Sequence, residues 1–212
     1  MESANREPVF NAPWPALVIV GAILLSFLWQ THAGSALMID RYGLSAPAVR
    51  AGDLQVLVTW LFLHGGWGHA LGNAAFGLAF ATAVSRRMGT DAQGAMVFFI
   101  FYLLCGVLSG LAFLAVHWGD STSTIGASGA LAGCMGAASR MRGPGPALDP
   151  FSSRPVLAMA GAWLVINLVF GLLLIGWAPG SGGAPLSWEA HLGGYAAGLL
   201  LIGPALRLLG RA

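Results

Sequence analysis

Charge is what this chain has least of. Only 8% of its 212 residues are charged. Lysine is absent, and the arginines are scattered from Arg6 to Arg211 rather than gathered in a block. A water-exposed surface takes about 25–35% charged residues among its outward positions, so an ordinary soluble fold is excluded. A formal charge of +2 without a basic stretch leaves no electrostatic footprint for nucleic acid. Cysteine is nearly as scarce. Cys105 and Cys134 both lie in apolar runs, and neither a disulfide framework nor a metal-ligand spacing can be read from them. No metal and no cofactor are expected.

What is present is hydrophobic, at 57% of residues. The solvent must be mostly lipid, and a helix crossing the hydrocarbon takes roughly 20 apolar residues. The length therefore accommodates about six crossings with short connections. The expected fold is all-α, a polytopic bundle of six transmembrane helices. Its spans run from Trp14 to Trp29, Trp67 to Val84, Ala92 to Trp118, Ile125 to Ala138, Val156 to Trp177 and Leu186 to Leu206. The first is too long, and lacks the cleavage site, for a signal peptide. The fourth is short for a crossing. Residues 1–13 and 209–212 read as tails flanking a membrane domain over 14–208. The polar stretch from His32 to Asp53 reads as a structured loop.

Arginine placement sets an orientation. With the N-terminus inside, Arg6, Arg86, Arg87, Arg140, Arg142, Arg154, Arg207 and Arg211 are cytoplasmic, and only Arg41 and Arg50 are outside. That bias predicts both termini inside; the membrane is expected to be a bacterial plasma (inner) membrane. It puts the connections bearing His64, Asp120 and the segment before His191 on the outer side.

Polar groups at membrane depth are costly, so each is a functional candidate. His69 and Asn73 stand four apart and share a helix face. Ser128 opens the fourth span, and His191 sits in the sixth with Gly194 and Gly198 on one face. A serine hydroxyl is a weak nucleophile until a positioned base takes its proton, and histidine titrates nearest neutral pH. Ser128 and His191 lie 63 positions apart, so helix packing must bring them together. Small residues at Gly126, Gly129 and Gly133 could meet Gly194 and Gly198, as small-xxx-small contacts do in lipid. No carboxylate is placed to orient His191, because Glu189 is two residues earlier and points elsewhere on a helix. A dyad is the better reading than a triad.

HGGWGHALGN from His64 to Asn73, GASGA around Ser128 and AHLGGYAAG around His191, in that order on the second, fourth and sixth segments, resemble the rhomboid family of intramembrane serine proteases. The resemblance implies a Ser128/His191 dyad that cleaves transmembrane-anchored protein substrates near the outer membrane face. It implies an oxyanion site from the Ser128 N–H with His69 and Asn73, and a supporting or water-binding role for His64. Two departures stand out. Relatives often carry a tyrosine one turn after the nucleophile, packed on the imidazole, where this chain has Ala132. They often carry a Trp-Arg pair after the first span, which is missing here; Tyr42 or a neighbour is its candidate replacement.

Each residue taken alone has a plainer reading. A serine in an apolar helix usually bonds its own backbone, His69 and Asn73 could tie two helices, and Trp163 among other tryptophans reads as an interfacial anchor or core filling. Asn167 divides evenly between an interhelical hydrogen bond and a lining of the substrate path. The Ser181–Pro185 connection is a candidate movable cap. Two rival functions are a catalytically inactive client-binding relative, disfavoured because both Ser128 and His191 are present, and a small transporter.

Overall fold

The computed structural model describes residues 11–141, 147–178, 181 and 183–211. It is mostly helical. In chain order the elements are α1 (Trp14–Ala33), α2 (Ser35–Tyr42), β1 (Leu44–Ser45), α3 (Ala46–Arg50), α4 (Val56–Thr59) with a 3-10 turn at Trp60–Phe62, α5 (Trp67–Met88), α6 (Ala92–His117), β2 (Ser123–Thr124), α7 (Ser128–Ser139), α8 (Arg154–Leu168) continued by a π-helical turn at Val169–Leu173, and α9 (Trp188–Leu208).

Three helical stretches are long and apolar enough to cross a membrane: Trp14–Ala33, Ala92–His117 and Arg154–Leu173, with mean hydropathies of 1.7, 2.5 and 2.3. The chain is an integral membrane protein. The other three anticipated spans exist as helices but fall outside that measure, for physical reasons. At 12 residues, α7 rises about 18 Å, well short of a roughly 30 Å hydrocarbon core. Polar and glycine positions dilute α5 and α9. Two boundaries also move inward. α7 starts at Ser128 rather than Ile125 because Gly126 has φ +121° and Thr124 belongs to a strand. Helical geometry after α8 ends at Leu173, short of Trp177.

Unlike a water-soluble fold, the bundle exposes large apolar side chains around an apolar core that also encloses a few polar ones. Leu25, Trp29, Leu157, Val165 and Leu200 are exposed, while Gln30, His64, Asn73, Ser109 and Asn167 are buried. On α1 the buried positions are Pro15 in the first turn and Ala16, Ile19, Ile23, Phe27 and Gln30, the last five forming one stripe at helical spacing. α7 has no such stripe because nearly all of it is enclosed. It is built largely of glycine and alanine and packs against α5, α6 and α9. α8 is peripheral, with only Val156 and Asn167 buried.

Glycine at the α7–α9 seam is a steric requirement. A methyl group at Gly194 would overlap the Gly129 carbonyl, one at Gly198 the Gly133 carbonyl, and one at Gly136 the Tyr195 carbonyl. Backbone therefore meets backbone. Ser109 on α6 adds a hydrogen bond to the Ala190 carbonyl at 2.7 Å.

The two ends of the bundle are tied differently. At one end the Trp14 indole donates to the Thr90 carbonyl at 2.9 Å, Arg87 donates to the Arg211 carbonyl at 2.7 Å, and Arg211 pairs with Asp91 at 2.6 Å. Asp91 also caps α6 by accepting from the Gly94 N–H at 3.0 Å. The Arg211 hydrogen bond, then that of Gly94, hold the Asp91 carboxyl at about 2. The pair is thus present above the ordinary carboxylate range and lost as pH falls through about 2. At the other end a two-residue antiparallel ladder, unanticipated in an all-helical reading, pairs Leu44 with Thr124 and Ser45 with Ser123. The Gly126 N–H reaches the Trp60 carbonyl at 2.9 Å, and the Thr124 and Ser187 hydroxyls lie 2.6 Å apart.

Gly198→Ala should lower the unfolding free energy by about 1–3 kcal/mol, the usual cost of overpacking, because the obstacle is a carbonyl rather than a flexible side chain. Gly203→Ala, whose methyl would sit 3.7 Å from Leu148, should leave thermal unfolding in detergent nearly unchanged. Equal behaviour of the two variants would refute the account of the seam.

Candidate functional site

The seam delivers two side chains to one place. Ser128 is the first residue of α7 and His191 lies in the first turn of α9, so both start from the end that the β1–β2 ladder ties together. His191 Nε2 lies 2.7 Å from Ser128 Oγ. His191 is only 7% exposed, while Ser128 is half-buried. A hydroxyl and an imidazole at this separation can exchange a proton directly.

His69 and Asn73 come from the first two turns of α5 and line the same cavity as Ser128 and His191. The Gly65 N–H donates to His69 Nδ1 at 3.3 Å. With Nδ1 accepting, a neutral His69 carries its proton on Nε2. That nitrogen faces Gly126, where an added Cβ would approach it to 2.7 Å. Asn73 Nδ2 is buried and has no hydrogen-bond partner among the described residues. An unpaired buried donor calls for a reason, and an acceptor arriving in the cavity supplies one. The Ser128 N–H, at the first position of a helix, also has no intrahelical acceptor. Ser128, His69 and Asn73, which carry these three donors, thus line one cavity.

Gly126 does not belong with the helix-packing glycines. It stands ahead of α7, in a left-handed conformation suited to glycine, and faces His69 rather than α9. Gly129, Gly133, Gly194 and Gly198 all lie on the α7–α9 seam.

His64 lies outside α5, fully buried, with both ring nitrogens unpartnered among the described residues. Its ring packs edge-on to His69, centroids 5.1 Å apart. Its backbone is held by Gln30 of α1. The Gln30 amide donates to the His64 carbonyl at 2.7 Å and accepts from the His64 N–H at 2.9 Å. Sequence reasoning missed Gln30. The available signal was an uncharged amide closing an apolar run, which reads as the end of a span.

Around His191, Glu189 points elsewhere. It pairs with His117 at 3.0 Å, and the other ring nitrogen of His117 meets Asp120 at 3.0 Å. Hydrogen bonds from Thr122, then His117, hold the Asp120 carboxyl at about 2. The His191 Nδ1 side is occupied by Asn167 Oδ1 at 2.9 Å, which places Asn167 in an interhelical contact. The Trp163 ring lies against the imidazole, centroids 5.6 Å apart, and stacks on Phe76 of α5. Ala132 sits in the buried cluster against which Trp163 packs.

The cavity measures about 710 Å³. Its rim carries the exposed residues Thr122, Ser123, Ala184 and Pro185, so it reaches the surface at the ladder end. Ser181, Ala184 and Pro185 of the connection before α9 line it, whereas Gly182 falls outside the described residues. No group of metal-binding side chains is found among the described residues.

The Rhomboid domain family matches residues 51–207, about three-quarters of the chain. No curated protein matches it.

Gln30→Leu should strand the His64 N–H and carbonyl, and a buried unsatisfied polar group costs about 1–3 kcal/mol. A drop in thermal stability of that order is expected in detergent. An unchanged melting temperature would show that the Gln30 clamp is dispensable.

Proposed function

The chain belongs to the rhomboid family, and on that premise we propose that it is an intramembrane serine endopeptidase cutting transmembrane-anchored protein substrates through Ser128 and His191. The observation that carries this reading is the 2.7 Å approach of His191 Nε2 to Ser128 Oγ. Rhomboid proteins in general are serine intramembrane proteases. His191 takes the proton as Ser128 Oγ attacks the scissile carbonyl, then returns it to the leaving amine. The oxyanion accepts from the Ser128 N–H, His69 Nε2–H and Asn73 Nδ2–H. Water for the second half-reaction enters by the cavity that reaches the surface at Thr122 and Ser123. Ser181, Ala184 and Pro185, which line that cavity, belong to the connection that serves as the cap.

In this reading six helices, α1, α5, α6, α7, α8 and α9, form the crossing bundle. α7 is short because its ends meet protein and the water-filled cavity rather than lipid. Arg86, Arg87, Arg207 and Arg211 gather at the end opposite the ladder, which supports an inward-facing arginine end and an active site opening outward. Arg6 and Arg142, which strengthen the same bias in sequence, lie outside the described residues. A hydrogen-bonded serine and histidine give no support to an inactive client-binding relative, and a cavity lined by a nucleophile and hydrogen-bond donors suits hydrolysis better than transport.

Ser128→Ala and His191→Ala, each reconstituted in liposomes with a single-span substrate, should abolish cleavage while still folding. Asn73→Ala should cut kcat about 10²- to 10³-fold, as loss of one oxyanion donor does. Cleavage that persists in Ser128→Ala would eliminate the reading.

A further inference from the structure

We infer that Asn167 is a positioning residue that selects the tautomer and the aim of the His191 imidazole, an inference that rests on the proposed protease chemistry. α8 is otherwise a peripheral helix, with Leu157, Leu164, Val165 and Ile166 exposed and Asn167 fully buried. An amide at membrane depth is costly unless satisfied. Asn167 is satisfied in one particular way. Its Nδ2 donates to the Trp163 carbonyl at 2.8 Å, and its Oδ1 faces His191 Nδ1 at 2.9 Å.

The first contact decides the second. Rotating the amide by half a turn would set Oδ1 against the Trp163 carbonyl, two acceptors facing each other. The orientation that satisfies the backbone turns Oδ1 toward His191, and a carbonyl oxygen can only accept. His191 must therefore carry a proton on Nδ1. In the neutral ring this leaves the Nε2 lone pair aimed at Ser128 Oγ, the state a general base needs. When the ring has taken the serine proton, Oδ1 still accepts from Nδ1–H, so the contact survives both states.

The same turn of α8 grips the ring a second time. Trp163, four residues earlier, lies against the imidazole and its indole donates to the His191 carbonyl at 3.4 Å. Two residues beyond Asn167 the helix widens into the π-helical turn at Val169–Leu173, a distortion common at functional sites. Gly171 within it admits the Trp188 side chain, which an added Cβ would meet at 2.7 Å. α8 is thus seated against the start of α9, where His191 lies. Glu189, bound to His117, is in no position to orient the ring, and Ala132 supplies no aromatic face.

The test reacts the full-length protein with a fluorophosphonate probe, which phosphonylates an activated serine, and separates the maximal labelling rate from the half-saturating probe concentration. Asn167→Leu removes the acceptor at similar volume. Its maximal rate should fall about 10- to 100-fold, the loss that follows when a metal-bound histidine loses the hydrogen bond on its other nitrogen, with half-saturation unchanged. Asn167→Asp keeps Oδ1 and, as a neutral carboxyl, donates from its O–H to the Trp163 carbonyl as Nδ2 does, so it should recover most of the rate. Wild-type labelling in Asn167→Leu would overturn the inference, as would a loss that Asn167→Asp fails to recover. Nitrogen-15 spectra of the wild-type histidines, with His191 identified by its absence from His191→Ala, read the tautomer without relying on any Asn167 variant. A proton on Nδ1 supports the inference and one on Nε2 overturns it. Ser128→Ala is the separate control. If it labels as fast as the wild type, the protease reading itself fails, whatever Asn167 does.

Discussion

Everything at this site depends on two helix backbones approaching without side chains between them. Gly194 and Gly198 of α9 lie against the carbonyls of Gly129 and Gly133 of α7. In lipid there is no hydrophobic drive to press helices together, so close van der Waals packing of small residues has to supply the association. It also sets a distance. A serine and a histidine have short side chains, and only a seam of this closeness lets Ser128 and His191 meet at 2.7 Å.

The seam fixes separation but not aim, and the remaining elements supply the aim. The β1–β2 ladder, the Gly126 bond to Trp60 and the Thr124–Ser187 contact hold the segments ahead of α7 and α9. Gln30 holds the backbone ahead of α5. Each is a hydrogen bond between segments distant in the chain, and each lies at the end where the cavity opens. The opposite end is secured by Arg87, Arg211 and Asp91, groups that need water nearby. The molecule is therefore polar inside at one end, charged outside at the other, and apolar around its girth.

Exposure of apolar side chains loses its usual meaning under these conditions, while burial of polar ones keeps it. In water the informative residue is the buried polar one. Here the exposed leucines of α1, α6 and α8 are the ordinary lipid contact, and part of the buried polar set outlines the site, while Thr82, Ser85 and Ser139 are buried away from its cavity. Gln30, His64, Asn73, Asn167 and His191 all belong to the site. Ser109 serves the seam instead, bonding the Ala190 carbonyl. The pair Glu189 and His117 shows the other outcome, where titratable groups near the cavity are consumed by each other.

The sequence by itself determined the solvent, the helical character and the chemistry-bearing residue types. Low charge and long apolar runs are summed properties of the chain and need no partner to be read. Spacing placed His69 with Asn73 and Gly194 with Gly198, because residues three or four apart share a face in any helix. Tertiary structure decided what depends on a second segment. It moved Gly126 from the seam to the face of His69, set Trp163 against the imidazole, and turned Asn167 toward His191. It also paired Gln30 with a backbone 34 residues away. Hydrogen-bond partners across helices are set by rotation and depth of packing, and a single amide in an apolar run carries no record of either.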